Sequence, residues 1–145
     1  MIVWNLDSGE ATRIIEHEEA PLRGGVVVMQ DGQQVVSADD NGNVMVWDLS
    51  NETNEPSLMF RGHDARVPSL DISPLGGEVA TVSFDSTAII WDLLGRDAEV
   101  QRFTDNSRAV YSSAISADGA LTASGSLNGR IIIWDTETAE ILYDI

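Results

Sequence analysis

Four short apolar runs, each ending in tryptophan, punctuate the chain: Ile2-Val3-Trp4, Val44-Met45-Val46-Trp47, Ala88-Ile89-Ile90-Trp91 and Ile131-Ile132-Ile133-Trp134. They are apolar at nearly every position, which predicts strands covered on both faces rather than the alternation of a half-solvated strand. All four are read as central strands. Ahead of the last three lies a shorter β-type run, at residues 34–36, 79–82 and 121–123. A glycine-bearing turn precedes each of these: Asp31-Gly32, Leu75-Gly76-Gly77 and Asp118-Gly119, sixteen residues before its tryptophan. A second tight turn separates the short run from the tryptophan run, Asn41-Gly42-Asn43, Asp85-Ser86-Thr87 and Asn128-Gly129-Arg130. Asn and Asp tolerate left-handed backbone and bond their own main chain, which suits a hairpin. With one strand before the first turn and one after the tryptophan, each unit predicts a four-stranded antiparallel sheet. No helix is predicted.

The units repeat at a fixed period. The tryptophans are spaced by 43, 44 and 43 residues, and the last three are followed by Asp48, Asp92 and Asp135, with Asn5 in that place after Trp4. A period of this length signals stacked supersecondary units, each of which buries its apolar faces against its neighbours. The expected division is residues 1–16 as the outer half of a first unit, then complete units at 17–59, 60–102 and 103–145.

Gly62-His63 opening the third unit, Ser83, Asp85 and Thr87 leading into Trp91, and Trp-Asp closing the units together resemble WD-repeat β-propeller proteins. The resemblance covers essentially the whole chain. It implies an all-β fold, a β-propeller of four-stranded antiparallel blades, with about three and a half blades in an open or partial ring. It also implies a hydrogen-bonded tetrad inside each blade, made of a His from the loop leading into the blade, a Ser or Thr of the second strand, an Asp of the following turn, and the Trp. Carried onto this chain, the complete set is His63, Ser83, Asp85 and Trp91. The second unit offers His17, Asp39, Asn41 and Trp47. The last has no His and offers Asn106, Ser126, Asn128 and Trp134. These two blades are expected to be softer.

His63, Ser83 and Asp85 also have the residue types of a nucleophilic triad. A triad needs an exposed nucleophile, an oriented base and oxyanion donors, whereas the tryptophan register puts this set inside a blade, where a hydroxyl and an imidazole need partners. The expectation is no catalysis and no cofactor. His17 among Glu16, Glu18 and Glu19 is read as a solvated charge cluster rather than a metal centre. In the resembled family, partners bind the face carrying the loops between blades and the second-to-third-strand turns. Candidate partner-binding residues there are Arg66, Phe84, Arg108, Tyr111 and Leu127, since large apolar side chains on a wet surface are the composition of an interaction hot spot.

Charge changes the picture of partners. Against 24 Asp and Glu stand 8 basic residues, all Arg, for a formal net charge of −16. The phosphate-neutralising surface that nucleic acid requires is missing, and no apolar run approaches the ~20 residues of a membrane helix. The expected partner is a protein or peptide, with no nucleic acid and no membrane. The absence of cysteine fits a reducing compartment, so the expected location is cytoplasmic. Three and a half blades would leave sheet edges and apolar flanks in water, so the ring is expected to be completed by a longer polypeptide, of which this is a fragment, or by a second chain, itself or another. The favoured function is a non-catalytic protein-interaction scaffold. Its alternatives are the sensory or regulatory portion of a larger signalling enzyme, and an acidic reader of basic peptides.

Overall fold

A computed structural model describes residues 1–17, 19–74, 76–94 and 99–145, with Glu99 described by its backbone alone. Glu18 of the acidic cluster and Leu75 of the third unit's first turn lie outside the described residues. The described chain is all-β, and its sheets are antiparallel throughout.

A two-stranded sheet comes first, from β1 (Ile2–Trp4) and β2 (Ala11–Ile14). Three four-stranded sheets follow in strict sequence order. The first holds β3 (Val26–Val28), β4 (Gln34–Ala38), β5 (Asn43–Asp48) and β6 (Leu58–Arg61). The second holds β7 (Ser69–Ile72), β8 (Glu78–Val82), β9 (Ala88–Asp92) and β10 (Glu99–Phe103). The third holds β11 (Val110–Ile115), β12 (Leu121–Ser126), β13 (Ile131–Asp135) and β14 (Ile141–Asp144). The last three tryptophan runs are each the third strand of a four-stranded blade, whereas Ile2–Trp4 is one strand of the two-stranded sheet. Each sheet is a meander because every connection is a hairpin, and the turn glycines supply the backbone that closes it. Gly42 sits at φ +87°, where an added Cβ would stand 2.4 Å from the His63 carbonyl oxygen of the next blade. No residue but glycine fits there without displacing backbone.

Alternate residues of the tryptophan strands face different blades, which explains why these runs are apolar throughout. Val44 and Val46 of β5 join Phe60, Leu70, Val79, Ile89 and Trp91 in the core between the first and second full blades. Met45 and Trp47, the other parity, pack against Ile15 of the half blade. One blade on, Ile90 and Phe103 meet Val110, Ile132 and Trp134. The two cores between full blades each stack a tryptophan on the preceding blade's outer-strand phenylalanine, Phe60 on Trp91 at 5.7 Å and Phe103 on Trp134 at 4.7 Å. Trp47, Trp91 and Trp134 are at most 1% exposed. At about 25 cal/mol per Å² over the 150–250 Å² an aromatic side chain buries, each contributes ~4 to 6 kcal/mol of transfer free energy.

The end strands depart from the expectation that all four runs are central and doubly covered. Trp4 is 56% exposed, Ile2 49% and Ile131 46%. β1 pairs only with β2, and the outer faces of the first and last sheets meet no blade of this chain, so their apolar positions stay in solvent. The inner strands β3, β7 and β11 line up side by side around the arc. There Ser113 N–H donates to Ser69 Oγ at 3.3 Å and Ile115 N–H to Asp71 Oδ2 at 2.9 Å.

This topology gives the arc two ends. One, here the lower, carries every first turn and the loop after each tryptophan strand, tied together by Leu49 N–H to Gln33 O, Leu93 N–H to Gly77 O and Thr136 N–H to Ala120 O. The other, the upper, carries the second turns and the connections between blades.

Candidate functional site

The second full blade holds a complete buried polar chain. Trp91 Nε1–H donates to Thr81 Oγ1 at 2.7 Å, and Thr81 Oγ1 lies 2.8 Å from His63 Nε2. On the other side of the ring, His63 Nδ1 lies 2.9 Å from Asp85 Oδ2. A consistent assignment has Nδ1–H donating to the carboxylate and Nε2 accepting from the Thr81 hydroxyl. Asp85 further accepts from Asp64 N–H at 3.0 Å and from Thr87 N–H and Oγ1–H at 2.8 and 2.7 Å. Burial works against the ionised form of Asp85, but the bonds from His63, Thr87 and the Asp64 amide outweigh it and hold the carboxyl well below its ordinary range.

The hydroxyl of this tetrad is Thr81 rather than Ser83. Both point to the same side of the extended chain, but Ser83 lies one step nearer the turn. There its Oγ donates to Ala65 O at 3.0 Å and accepts from Asp85 N–H at 3.1 Å. Ser83 fastens the turn to the incoming loop while Thr81 joins the histidine to the tryptophan. The sequence carried the signal for this at a different offset: a hydroxyl residue stands ten positions before each buried tryptophan, at Ser37, Thr81 and Ser124. The His63 side chain is fully buried and its Nε2 is turned to Thr81, so His63, Ser83 and Asp85 form a structural network in place of a base aimed at a nucleophile.

The other two networks are partial. In the first full blade Trp47 Nε1–H donates to Ser37 Oγ at 2.9 Å, but His17 Nε2 stands 3.7 Å from Asp39 Oδ2 and has no hydrogen-bond partner. Asp39 instead serves its own turn, accepting from Asn41 N–H, Asn43 N–H and Asn43 Nδ2–H. Asn41 therefore takes no side-chain part in a tetrad with His17. In the last blade Asn106 Oδ1 accepts from both Ser124 and Ser126 hydroxyls at 3.1 Å. Trp134 Nε1 and Asn106 Nδ2 are left buried without partners. Asn128 bonds Ser107 at the surface.

The aspartates after the tryptophans cap the loops that follow. Asp48 Oδ1 accepts from Ser50 N–H at 2.8 Å, Asp92 Oδ1 from Leu94 N–H at 2.8 Å, and Asp135 Oδ1 from Thr138 N–H at 2.9 Å. They act as Asx turns that close the lower end of each blade.

At the upper end the structure brings three of the five surface candidates into one cluster. The Arg66 guanidinium lies 5.6 Å over the Phe84 ring, and Phe84 packs on Tyr111 of the next blade with centroids 4.8 Å apart. Arg66 is held by Arg23 O at 2.9 Å and by the Asp40 carboxylate, with Nε 3.3 Å from Oδ1. Phe84 and Arg66 are half-buried, while Tyr111 is 47% exposed. The row thus runs across three blades, from Asp40 through Arg66 and Phe84 to Tyr111. Leu127 is 64% exposed, on the turn whose amide bonds Ala109 O, and Arg108 is exposed beside it. Neither joins the aromatic row. The pairing of Arg66 with Asp40 carries no sequence signal, because nothing in the spacing says which loop a neighbouring blade's arginine will reach.

Four-stranded meanders packed side by side around a row of inner strands, with buried tryptophans tied into cross-strand networks, define an arc of a WD-repeat β-propeller. The family pattern described as WD domain, G-beta repeat matches residues 13–48, 54–92 and 98–135, and the chain belongs to this family. It is similar to Autophagy-related protein 16 of Arabidopsis thaliana, 30% identical across 99% of this chain and 27% of that protein. It is also similar to Periodic tryptophan protein 2 of the same plant, 34% identical over 73% of this chain and 11% of that protein. A third relative, the Target of rapamycin complex subunit LST8 of Bos taurus, is 24% identical over 93% of this chain and 41% of its own length. The chain spans less than half of each.

Proposed function

We propose that this chain is a non-catalytic protein-interaction scaffold whose partner docks on the upper face, on Arg66, Phe84 and Tyr111, with Arg108 and Leu127 flanking. The observation that carries the reading is the inter-blade row itself. An exposed tyrosine is pre-packed on a phenylalanine under an arginine already bonded to the Arg23 carbonyl and ion-paired with Asp40, which is the aromatic and arginine composition of binding hot spots at low ordering cost. The name of one relative, a complex subunit, supports a protein partner. We also propose that the open faces around Trp4 and Ile131 are covered by further blades, because apolar flanks of this kind are otherwise exposed to water.

The test is a peptide-display selection against the purified protein in about 0.5 M salt, where charge steering is screened to a few ångströms. Affinity of the recovered peptides is then measured on wild type and on Phe84→Ser and Tyr111→Ser. A loss of about thirtyfold or more is expected, the scale of a hot-spot residue, with denaturation midpoints near wild type for Tyr111→Ser. Undiminished binding by both variants would move the site elsewhere, and a selection that yields no binder would argue against a scaffold.

A further inference from the structure

Asparagine followed by glycine occurs at Asn41-Gly42 and Asn128-Gly129, and the period puts both pairs in the same second turn, of the first full blade and of the last. Such a pair is chemically labile in a flexible chain. Glycine has no Cβ to shield its nitrogen, which therefore reaches the carbonyl carbon of the preceding side-chain amide. In both turns the glycine N–H is held, Gly42 by Asp39 O at 3.4 Å and Gly129 by Ser126 O at 3.0 Å, so the turn has to open before the nitrogen attacks. The cost of that opening separates the two.

Opening the first of these turns takes apart the upper end of a blade. Gly42 is buried against the His63 carbonyl of the next blade. Asp39, fully buried, accepts from Asn41 N–H, Asn43 N–H and Asn43 Nδ2–H, and its carbonyl accepts from Val67 N–H at 3.4 Å. The last blade's turn is nearly bare. Leu127, Asn128 and Gly129 are exposed, and a Cβ at Gly129 would meet nothing within 4 Å. Its ties to the neighbouring loop are Leu127 N–H to Ala109 O and Asn128 Nδ2–H to Ser107 Oγ. Asn128 is also folded toward the attack. Its Oδ1 accepts from Arg130 N–H at 3.3 Å, an Asx turn that lays the side chain along the following peptide and draws electron density from Cγ. Asn41 lacks that bond, because Asp39 takes the equivalent Asn43 N–H.

We propose that Asn128 is a site of self-modification, converting in water to aspartate and isoaspartate while Asn41 in the equivalent turn persists. The Gly129 nitrogen gives its proton to hydroxide and bonds to Asn128 Cγ. The Cγ–Nδ2 bond then breaks, and Nδ2 leaves as ammonia with a proton returned from water. The five-membered imide so formed takes up water at one of its two carbonyls. Breaking the new bond from Gly129 N to Cγ gives aspartate. Breaking the original peptide bond leaves the main chain running through Cβ and Cγ, which is isoaspartate. Either product puts a carboxylate on the turn that carries Leu127 and removes the amide donor that ties this turn to Ser107 and the loop of Arg108. The conversion requires no partner on the upper face.

The experiment incubates the purified protein in mildly alkaline buffer, with and without denaturing urea, and follows both Asn-Gly segments by mass-spectrometric peptide mapping that separates asparagine, aspartate and isoaspartate. In urea, where the folded turns are gone, the two are expected to convert at rates within about threefold of each other. In the native protein Asn128 is expected to convert at least about tenfold faster than Asn41, the rate ratio that one hydrogen bond's difference in opening cost produces. Asn128→Gln, whose longer side chain cannot close the five-membered ring, is expected to lose the conversion at that turn. A native ratio below about tenfold would overturn the proposal, since the fold would then not distinguish the turns. So would an Asn128 that stays intact in the native protein over the time in which both segments convert in urea, because the Ser126 bond would then protect it. Conversion persisting at this turn in Asn128→Gln would place the reaction at another residue.

Discussion

Replacing Thr81 with valine keeps the shape of the side chain and removes only its hydroxyl, so it isolates the tetrad's central joint. Thr81 is fully buried, as is the Trp91 indole. Without the hydroxyl, Trp91 Nε1–H loses its 2.7 Å partner and His63 Nε2 its 2.8 Å partner. Each orphaned buried group costs about 1 to 3 kcal/mol, so with two of them the variant is expected to lose about 2 to 6 kcal/mol. Ser83→Ala, by contrast, deletes bonds to Ala65 O and Asp85 N–H at the margin of the turn, worth about 1 to 2 kcal/mol together. With a urea slope of about 2 kcal/mol/M for a protein of this size, Thr81→Val lowers the unfolding midpoint by about 1 to 3 M and Ser83→Ala by about 0.5 to 1 M. Thr81→Ser, which restores the hydroxyl, is expected to recover most of the loss. If Ser83→Ala proves as costly as Thr81→Val, the assignment of the tetrad hydroxyl is refuted.

Three further outcomes follow from the same geometry. His63→Ala is expected to cost at least about 2 kcal/mol more than His17→Ala, because His63 bonds Thr81 and Asp85 while His17 Nε2 has no partner; equal urea midpoints would contradict it. Gly42→Ala, whose Cβ would meet the His63 carbonyl at 2.4 Å, should destabilise by more than about 3 kcal/mol, and Gly129→Ala, also at positive φ but in open space, by only about 1 to 2 kcal/mol. Thermal midpoints of the two variants check this. Asp85 titrates below its unfolded value, so its contribution is fully present above the ordinary carboxylate pKa of about 4 and is lost as pH falls through the folded value. Asp85→Asn should therefore show a smaller drop in stability between neutral pH and about pH 3 than wild type does.

The blades were legible because their tryptophans repeat in register with two kinds of turn, and a period survives where single strands are ambiguous. Coverage was less so. Ile2-Val3-Trp4 and Ile131-Ile132-Ile133-Trp134 read like the two inner runs, but exposure at Trp4 and Ile131 depends on which sheets stand beside them, and strand composition does not encode that. The tetrad was legible in kind and misplaced by one hydroxyl: Thr81 and Ser83 share a face, and only the recurrence of Ser37, Thr81 and Ser124 ten residues before each buried tryptophan separates them.

The account's central claim is that partners dock on the upper row of Arg66, Phe84 and Tyr111. Hydrogen–deuterium exchange of the protein with and without a peptide selected in about 0.5 M salt tests it most directly. Slowed exchange is predicted for the amides around residues 64–68, 83–86 and 109–112, with the lower turns at 76–78 and 117–121 unchanged. Protection confined to the lower turns, or to the exposed flanks at Trp4 and Ile131, would contradict it.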